Sequence, residues 1–214
     1  MKARFRSVLQ ILSASLALAL LSGGCAMMAP KMERYVAPPL GSTWVTARRD
    51  TGSYGSGSMN VPSKRADQMW QGKQMIGFES PEGTTLADSS SGDWHGVVKG
   101  STPLMTWDPP LGWNFPLEVG KTWTKATRVT IHAANRTVPY EYTQKVEAYE
   151  EVTVPAGTFK AFKMTTSDTI GNENVQWFSP ELGIFVKSNL RRTAKNASGP
   201  GTREAELVSQ NIKK

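Results

Sequence analysis

The sequence predicts an all-β, mainly antiparallel domain, and three observations carry the prediction. Threonine is abundant, while 19 glycines and 13 prolines punctuate the chain at short intervals. No 11-residue window keeps a clean helical period. The stretch Tyr140–Ala148 (YEYTQKVEA) alternates, with Tyr140, Tyr142, Val146 and Ala148 on one side and Glu141, Thr143, Lys145 and Glu147 on the other. Such alternation marks a strand with one buried and one wet face. The expected shape is an open curved sheet or half-barrel, with two related β-halves as a further option.

The front of the chain is a targeting segment. Lys2, Arg4 and Arg6 precede the apolar run Val8–Leu21, and Ser22-Gly23-Gly24 then leads into Cys25, the one cysteine of the chain. Fourteen helical residues reach about 21 Å, short of the roughly 30 Å hydrocarbon core, so the run reads as a signal peptide over 1–24. A lone thiol in an oxidising compartment has no internal disulfide partner. The stretch LLSGGC resembles the lipobox of bacterial lipoproteins, with Ser22 where leucine is commonest. The resemblance implies thioether attachment of a diacylglycerol at Cys25, cleavage before it, and acylation of the new amino terminus with chains such as palmitate. Several acyl chains make a stable tether where one does not. Ala26, rather than aspartate, implies by the same resemblance the periplasmic face of the outer membrane.

Residues 25–40, with Met27–Pro39 (MMAPKMERYVAPP) rich in proline and without apolar period, read as a tether. A β-rich periplasmic domain is then expected over 41–209, with halves 41–115 and 116–209, and a loose tail over 210–214. Expected strands are Thr43–Arg49, Gln68–Glu79, Trp123–Ala133, Tyr140–Ala148, Glu151–Val154, Phe159–Ser167, Asn174–Phe178, Gly183–Arg192 and Glu204–Ser209. Ile170–Glu173 and Ser179–Gly183 are expected turns. GSTW at Gly41–Trp44 recurs as GKTW at Gly120–Trp123, each opening a strand-like run. Chance recurrence of a common turn explains so short a match as well as duplication does.

Between Val152 and Ser188, a VPAGTF turn, a strand, WFSPELG and a further strand follow one another. This pattern resembles a group of secreted bacterial β-domains of unknown function, over roughly Gly120–Arg192. The resemblance implies an antiparallel, curved-sheet neighbourhood and supplies no catalytic residues. Physically the motif is scaffold: Pro155 fixes φ, Gly157 permits a bend, and Phe159, Trp177 and Phe185 supply burial.

Several chemistries are set aside. Without residues 1–24 the chain has 22 basic and 18 acidic residues, a net +4, and the basic residues occur only in scattered pairs. No basic stripe or module points to nucleic acid. Two histidines, His95 and His132, cannot supply a structural zinc site, so no metal or other cofactor is expected. No G-x-S-x-G elbow occurs, and GSYGSGS is neither an elbow nor a phosphate loop. A triad from Ser89–Ser91, Asp93 and His95 would crowd one loop, whereas triads draw on separate elements. Glu150 and Glu151 point to opposite faces of a strand and cannot flank one bond.

The segment Asp93–Trp123 holds Trp94, Trp107, Trp113 and Trp123 among four prolines, with Trp107–Trp113 read as an extended loop joining the halves. Its indoles either plug the core between halves or, at Trp94, Trp107 and Trp113, form a platform for an amphipathic ligand. The functional expectation is a non-enzymatic, membrane-anchored binding or structural module for a lipid or a hydrophobic segment of another envelope protein. The alternative is a glycan- or peptidoglycan-binding module using Trp107 and Trp113. A hydrolase around Asp93 and His95 is the third reading.

Overall fold

The structure is a computed structural model and describes residues 30–213. Cys25 and the expected signal segment 1–24 lie outside the described residues, as does Lys214. The strands are β1 (Thr43–Gly52), β2 (Gly57–Trp70), β3 (Lys73–Ser80), β4 (Gly83–Ala87), β5 (Trp94–Lys99), β6 (Thr102–Leu111), β7 (Thr122–Ile131), β8 (Arg136–Val154), β9 (Gly157–Asp168), β10 (Asn172–Ser179), β11 (Ile184–Arg192) and β12 (Gly201–Asn211). A 3₁₀ turn, His132–Ala134, links β7 to β8.

Every strand pairs antiparallel with its neighbours in sequence, and β12 returns to pair with β1 from Thr43↔Asn211 to Gly52↔Gly201. The expected open sheet or half-barrel is therefore corrected to a closed, twelve-stranded up-and-down barrel. Closure leaves neither β1 nor β12 with an unpaired row of backbone groups. The halves 41–115 and 116–209 are arcs of this barrel: GSTW and GKTW open β1 and β7, each the first of six strands, but β6 pairs with β7.

Local differences from the expected strands have local causes. Gln68–Glu79 is a hairpin, broken by Gln71 (φ 49°) and Gly72 (φ 78°), the two positive φ values that a tight I′ turn requires. Trp107–Leu111, read as a loop, belongs to β6. Glu151–Val154 continues β8, whose bulge after Val146 pairs Val146 with Met164 but Ala148 with Lys163. The bulge moves Ala148 off the face it was expected to share with Tyr142. His132 sits in the 3₁₀ turn, 3.0 Å from Thr106 Oγ1, and is not a strand residue. The tail is not loose as far as Lys213: β12 runs to Asn211, Ile212 packs on the core, and Lys213 N–H donates to Ser42 Oγ at 3.1 Å.

A barrel of eight strands is just filled by its side chains, and a larger one encloses more space. Here residues 32–38, expected as tether, help to fill it. Met32 and Leu117 exchange both backbone hydrogen bonds, at 2.9 and 2.8 Å. Tyr35 is buried in the main core cluster with Ile76, Leu117, Val146, Phe162, Met164 and Phe178. Gly41 N–H donates to Arg65 O and Arg65 N–H to Ser42 O, anchoring the far end of the segment on β2. A second cluster, Val152, Val154, Ala161, Leu182, Ile184, Val186 and Leu207, lies where the β8–β9 turn docks on β12 through Ala156 N–H to Leu207 O.

Candidate functional site

Alternate residues of a strand share a face, and on the walls around Trp113 these faces change character along the barrel. On β1, Trp44 and Thr46 line a cavity, and the next two residues of that face are Arg48 and Asp50. Across β10 and β11, Phe178 pairs with Phe185, Gln176 with Ser188, and Asn172 with Arg192. The lumen thus runs from phenyl and indole rings, through amides and hydroxyls, to ion pairs.

At the charged end Arg203 donates twice to the Asp50 carboxylate, both at 2.9 Å. That fork, with the charges of Arg48 and Arg192, holds the Asp50 carboxyl below its ordinary range. The guanidinium groups of Arg192 and Arg203 both lie over the Tyr54 ring, 3.8 and 4.7 Å from its centroid. These cations are consumed by internal partners.

At the apolar end Trp113 is the hub. Its ring stacks on Phe115 at 5.7 Å, Phe185 at 5.9 Å and Tyr35 at 5.9 Å, and meets Phe178 edge-on at 5.1 Å. Polar bonds fix the indole. Trp113 Nε1 donates to Gly92 O at 3.1 Å, its backbone N–H donates to Asp93 Oδ1 at 2.8 Å, and Lys125 Nζ donates to its carbonyl at 2.9 Å. Tyr142 OH both accepts from Gly112 N–H and donates to Gly112 O. Burial pushes this phenol up to about 12.

Two adjoining cavities remain open around this hub. One, about 270 Å³, is walled by Tyr35, Trp44, Phe78, Trp94, Trp113, Phe178 and Phe185, with Thr46, Thr85, Gln176 and Ser188 among its other lining residues. The other, about 150 Å³, shares Trp94, Trp113, Gln176 and Phe185 with it and adds Tyr140, Tyr142, Gln144, Thr166 and Asn174. An apolar cavity near 150 Å³ is large enough for a benzene ring, so the larger space takes a bigger apolar group and the smaller supplies uncharged hydrogen-bonding partners.

Of the expected ligand-binding indoles, Trp94 and Trp113 line both cavities, and Trp107 lines neither. Sequence reasoning missed Tyr35, Trp44, Phe78, Phe178 and Phe185, which reach the same space from the N-terminal segment, β1, β3, β10 and β11. For the four on strands, alternation is the one signal that pointed to them; Tyr35 precedes the first strand and carried none.

The residues of the hydrolase reading have other tasks. Asp88 accepts from Ser90 O–H at 2.5 Å, from the backbone N–H groups of Ser90 and Ser91, and from Lys73. Those partners hold its carboxyl far below the ordinary range, Lys73 contributing most. Asp93 orients Trp113. Burial and the Lys73 charge depress His95. The Ser90 hydroxyl points to Asp88, and the Ser91 hydroxyl accepts from Asp93 N–H at 3.3 Å. Among the described residues, no three His, Cys, Asp or Glu side chains group as a metal site.

Residues 116–196 match the family described as DUF3108-like. The match covers less than half of the chain and contains both the Pro155–Gly157 and the Pro180–Gly183 turns. No curated protein matches. Three solved structures are similar in outline. A candidate lipoprotein from Parabacteroides distasonis is 11% identical with a TM-score of 0.47, over 85% of this chain and 100% of its own. A candidate exported protein with a YmcC-like fold from Bacteroides fragilis is 13% identical with a TM-score of 0.47, over 84% of this chain and 99% of its own. The hypothetical lipoprotein YmcC from Escherichia coli is 12% identical with a TM-score of 0.42, over 79% of this chain and 84% of its own.

Proposed function

We propose that this chain is a lipid-anchored protein of the bacterial cell envelope, acylated at Cys25 after removal of 1–24 and held on the periplasmic face of the outer membrane. Its barrel is a binding module, not an enzyme, and takes the apolar part of a small amphiphile into the lumen. The observation that carries the reading is the ring-walled cavity of about 270 Å³ beside a polar, uncharged one of about 150 Å³. An amphiphile fits that pairing: its apolar group lies among Trp94, Trp113 and Phe185 and its head meets Gln144, Asn174 and Gln176. A space of about 270 Å³ inside the barrel favours a small lipid-like molecule over a segment of another protein.

A glycan platform built on Trp107 and Trp113 would need open ring faces side by side. Trp113 instead stacks on Phe115 and Phe185, and Trp107 lines neither cavity.

The test is organic extraction of the protein spanning residues 26–214, purified from a bacterial periplasm, followed by mass spectrometry. The expected result is an amphiphile at near one-to-one ratio, lost in Trp113→Ala and retained in Trp107→Ala. A protein that extracts empty and does not take up N-phenyl-1-naphthylamine, an uncharged apolar fluorophore, overturns the reading.

A further inference from the structure

Residues 32–38 form part of the lumen wall and fill part of its volume. We propose that the slot holding Tyr35 is the subsite for the ligand's apolar group and that residues 32–38 are its displaceable occupant. An amphiphile carrying a ring-sized, uncharged apolar group enters by replacing the Tyr35 ring. The inference rests on the reading of the lumen as a ligand site.

The slot is shaped for a ring. Trp113 stacks on the Tyr35 ring at 5.9 Å, and Phe178 lies 6.2 Å from it. Gly92 closes a third side so tightly that a Cβ there would come within 2.5 Å of the Tyr35 ring. Tyr35 is at the same time a wall of the 270 Å³ cavity, so withdrawing it joins the slot to that cavity.

The segment has few backbone bonds to the barrel and is held mainly by side-chain packing. Its two backbone bonds to the wall lie at one end, Met32 with Leu117, and the next clamp is at Gly41–Ser42. Val36 and Leu40 are 51% and 57% exposed, while Ala37 packs on the main cluster and Pro38 is buried beside Gly183. Tyr35 is the large ring that holds the middle. Met32 is seven residues from Cys25, a reach of at most about 25 Å, so an acyl anchor at Cys25 would keep this end of the barrel near the bilayer.

The experiment uses residues 26–214, which contain no cysteine. Met32 and Leu117 exchange both backbone bonds, and residues so paired have Cα atoms about 5.5 Å apart, within disulfide range. The double variant M32C/L117C locks the segment when oxidised and frees it when reduced. N-phenyl-1-naphthylamine is titrated by fluorescence into both forms, the unaltered protein and Tyr35→Ala. Hydrogen exchange at the Leu117 amide is followed with and without the fluorophore.

The expected result is at least tenfold weaker uptake by the oxidised lock than by the reduced form, tighter uptake by Tyr35→Ala, and faster Leu117 exchange at saturation. Equal uptake by locked and unlocked forms, with Leu117 exchange unchanged, overturns displacement while leaving the lumen as a ligand site. No uptake by any form, Tyr35→Ala included, overturns the lumen reading itself.

Discussion

Replacing Gly183 by alanine measures how tightly residues 36–38 are pressed against the β10–β11 turn. Gly183 has φ +69°, and a Cβ there would lie 2.5 Å from Val36 O, 2.8 Å from Pro38 N and 3.0 Å from Pro38 Cδ. Gly120 is the control, with φ +92° and nothing within 4 Å of its would-be Cβ. Left-handed backbone costs an alanine about 1–2 kcal/mol, offset by about 0.4–1 kcal/mol through the stiffer unfolded chain. Gly120→Ala should therefore lose about 1 kcal/mol. Gly183→Ala carries the same conformational cost plus a collision with backbone atoms that no rotamer relieves. Full release of the segment sets the ceiling: about 1.5–3 kcal/mol for the Tyr35 ring and about 1 kcal/mol for each Met32–Leu117 bond. A loss of about 3–4 kcal/mol is expected for Gly183→Ala in urea unfolding followed by tryptophan fluorescence. In a chain that begins at residue 39, the two substitutions should cost the same. If they cost the same in the chain that includes residues 32–38, within about 0.5 kcal/mol, that segment is not packed on Gly183.

Tyr142→Phe should lose about 1–3 kcal/mol in the same assay, because both the N–H and the carbonyl of Gly112 lose their partner in a buried site. Alkaline unfolding should begin as pH rises from about 10, the unfolded phenol's value, towards about 12, where burial places Tyr142 in the fold. Stability linked to the neutral phenol is complete below the lower value and lost through the upper one. Asp88 has the opposite sign. Its folded carboxyl is depressed, chiefly by Lys73 and Ser90, so its contribution is complete above about 3.9 and lost as pH falls below it. Asp88→Asn should flatten the acid limb of a stability–pH curve below pH 4, and an unchanged limb would show that the loop clamp adds nothing.

Strand content was legible because alternation records burial directly: Tyr140–Val146 reads as a half-buried strand and is one. The turns at Pro155–Gly157 and Pro180–Gly183 were legible because proline and glycine act through their own backbone. The site was legible only in part. Trp94 and Trp113 were singled out as indoles, but Trp107 lies in the same segment with the same composition and lines neither cavity. A bulge between Leu86 and Ala87 in the β4–β5 pairing and another around His95 in the β5–β6 pairing set which residues face in, and such register shifts leave little mark in composition.

What the sequence determined by itself is what neighbouring residues decide: a β-rich body and its tight turns. Tertiary structure decided what distant residues decide together. Pairing of Thr43–Gly52 with Gly201–Asn211 closed the barrel, since a strand's edge names no partner until another edge meets it. Closure by twelve strands then left an interior that wall side chains do not fill. That space drew Tyr35 out of an apparent tether and against Trp113, which no local pattern in MMAPKMERYVAPP announces.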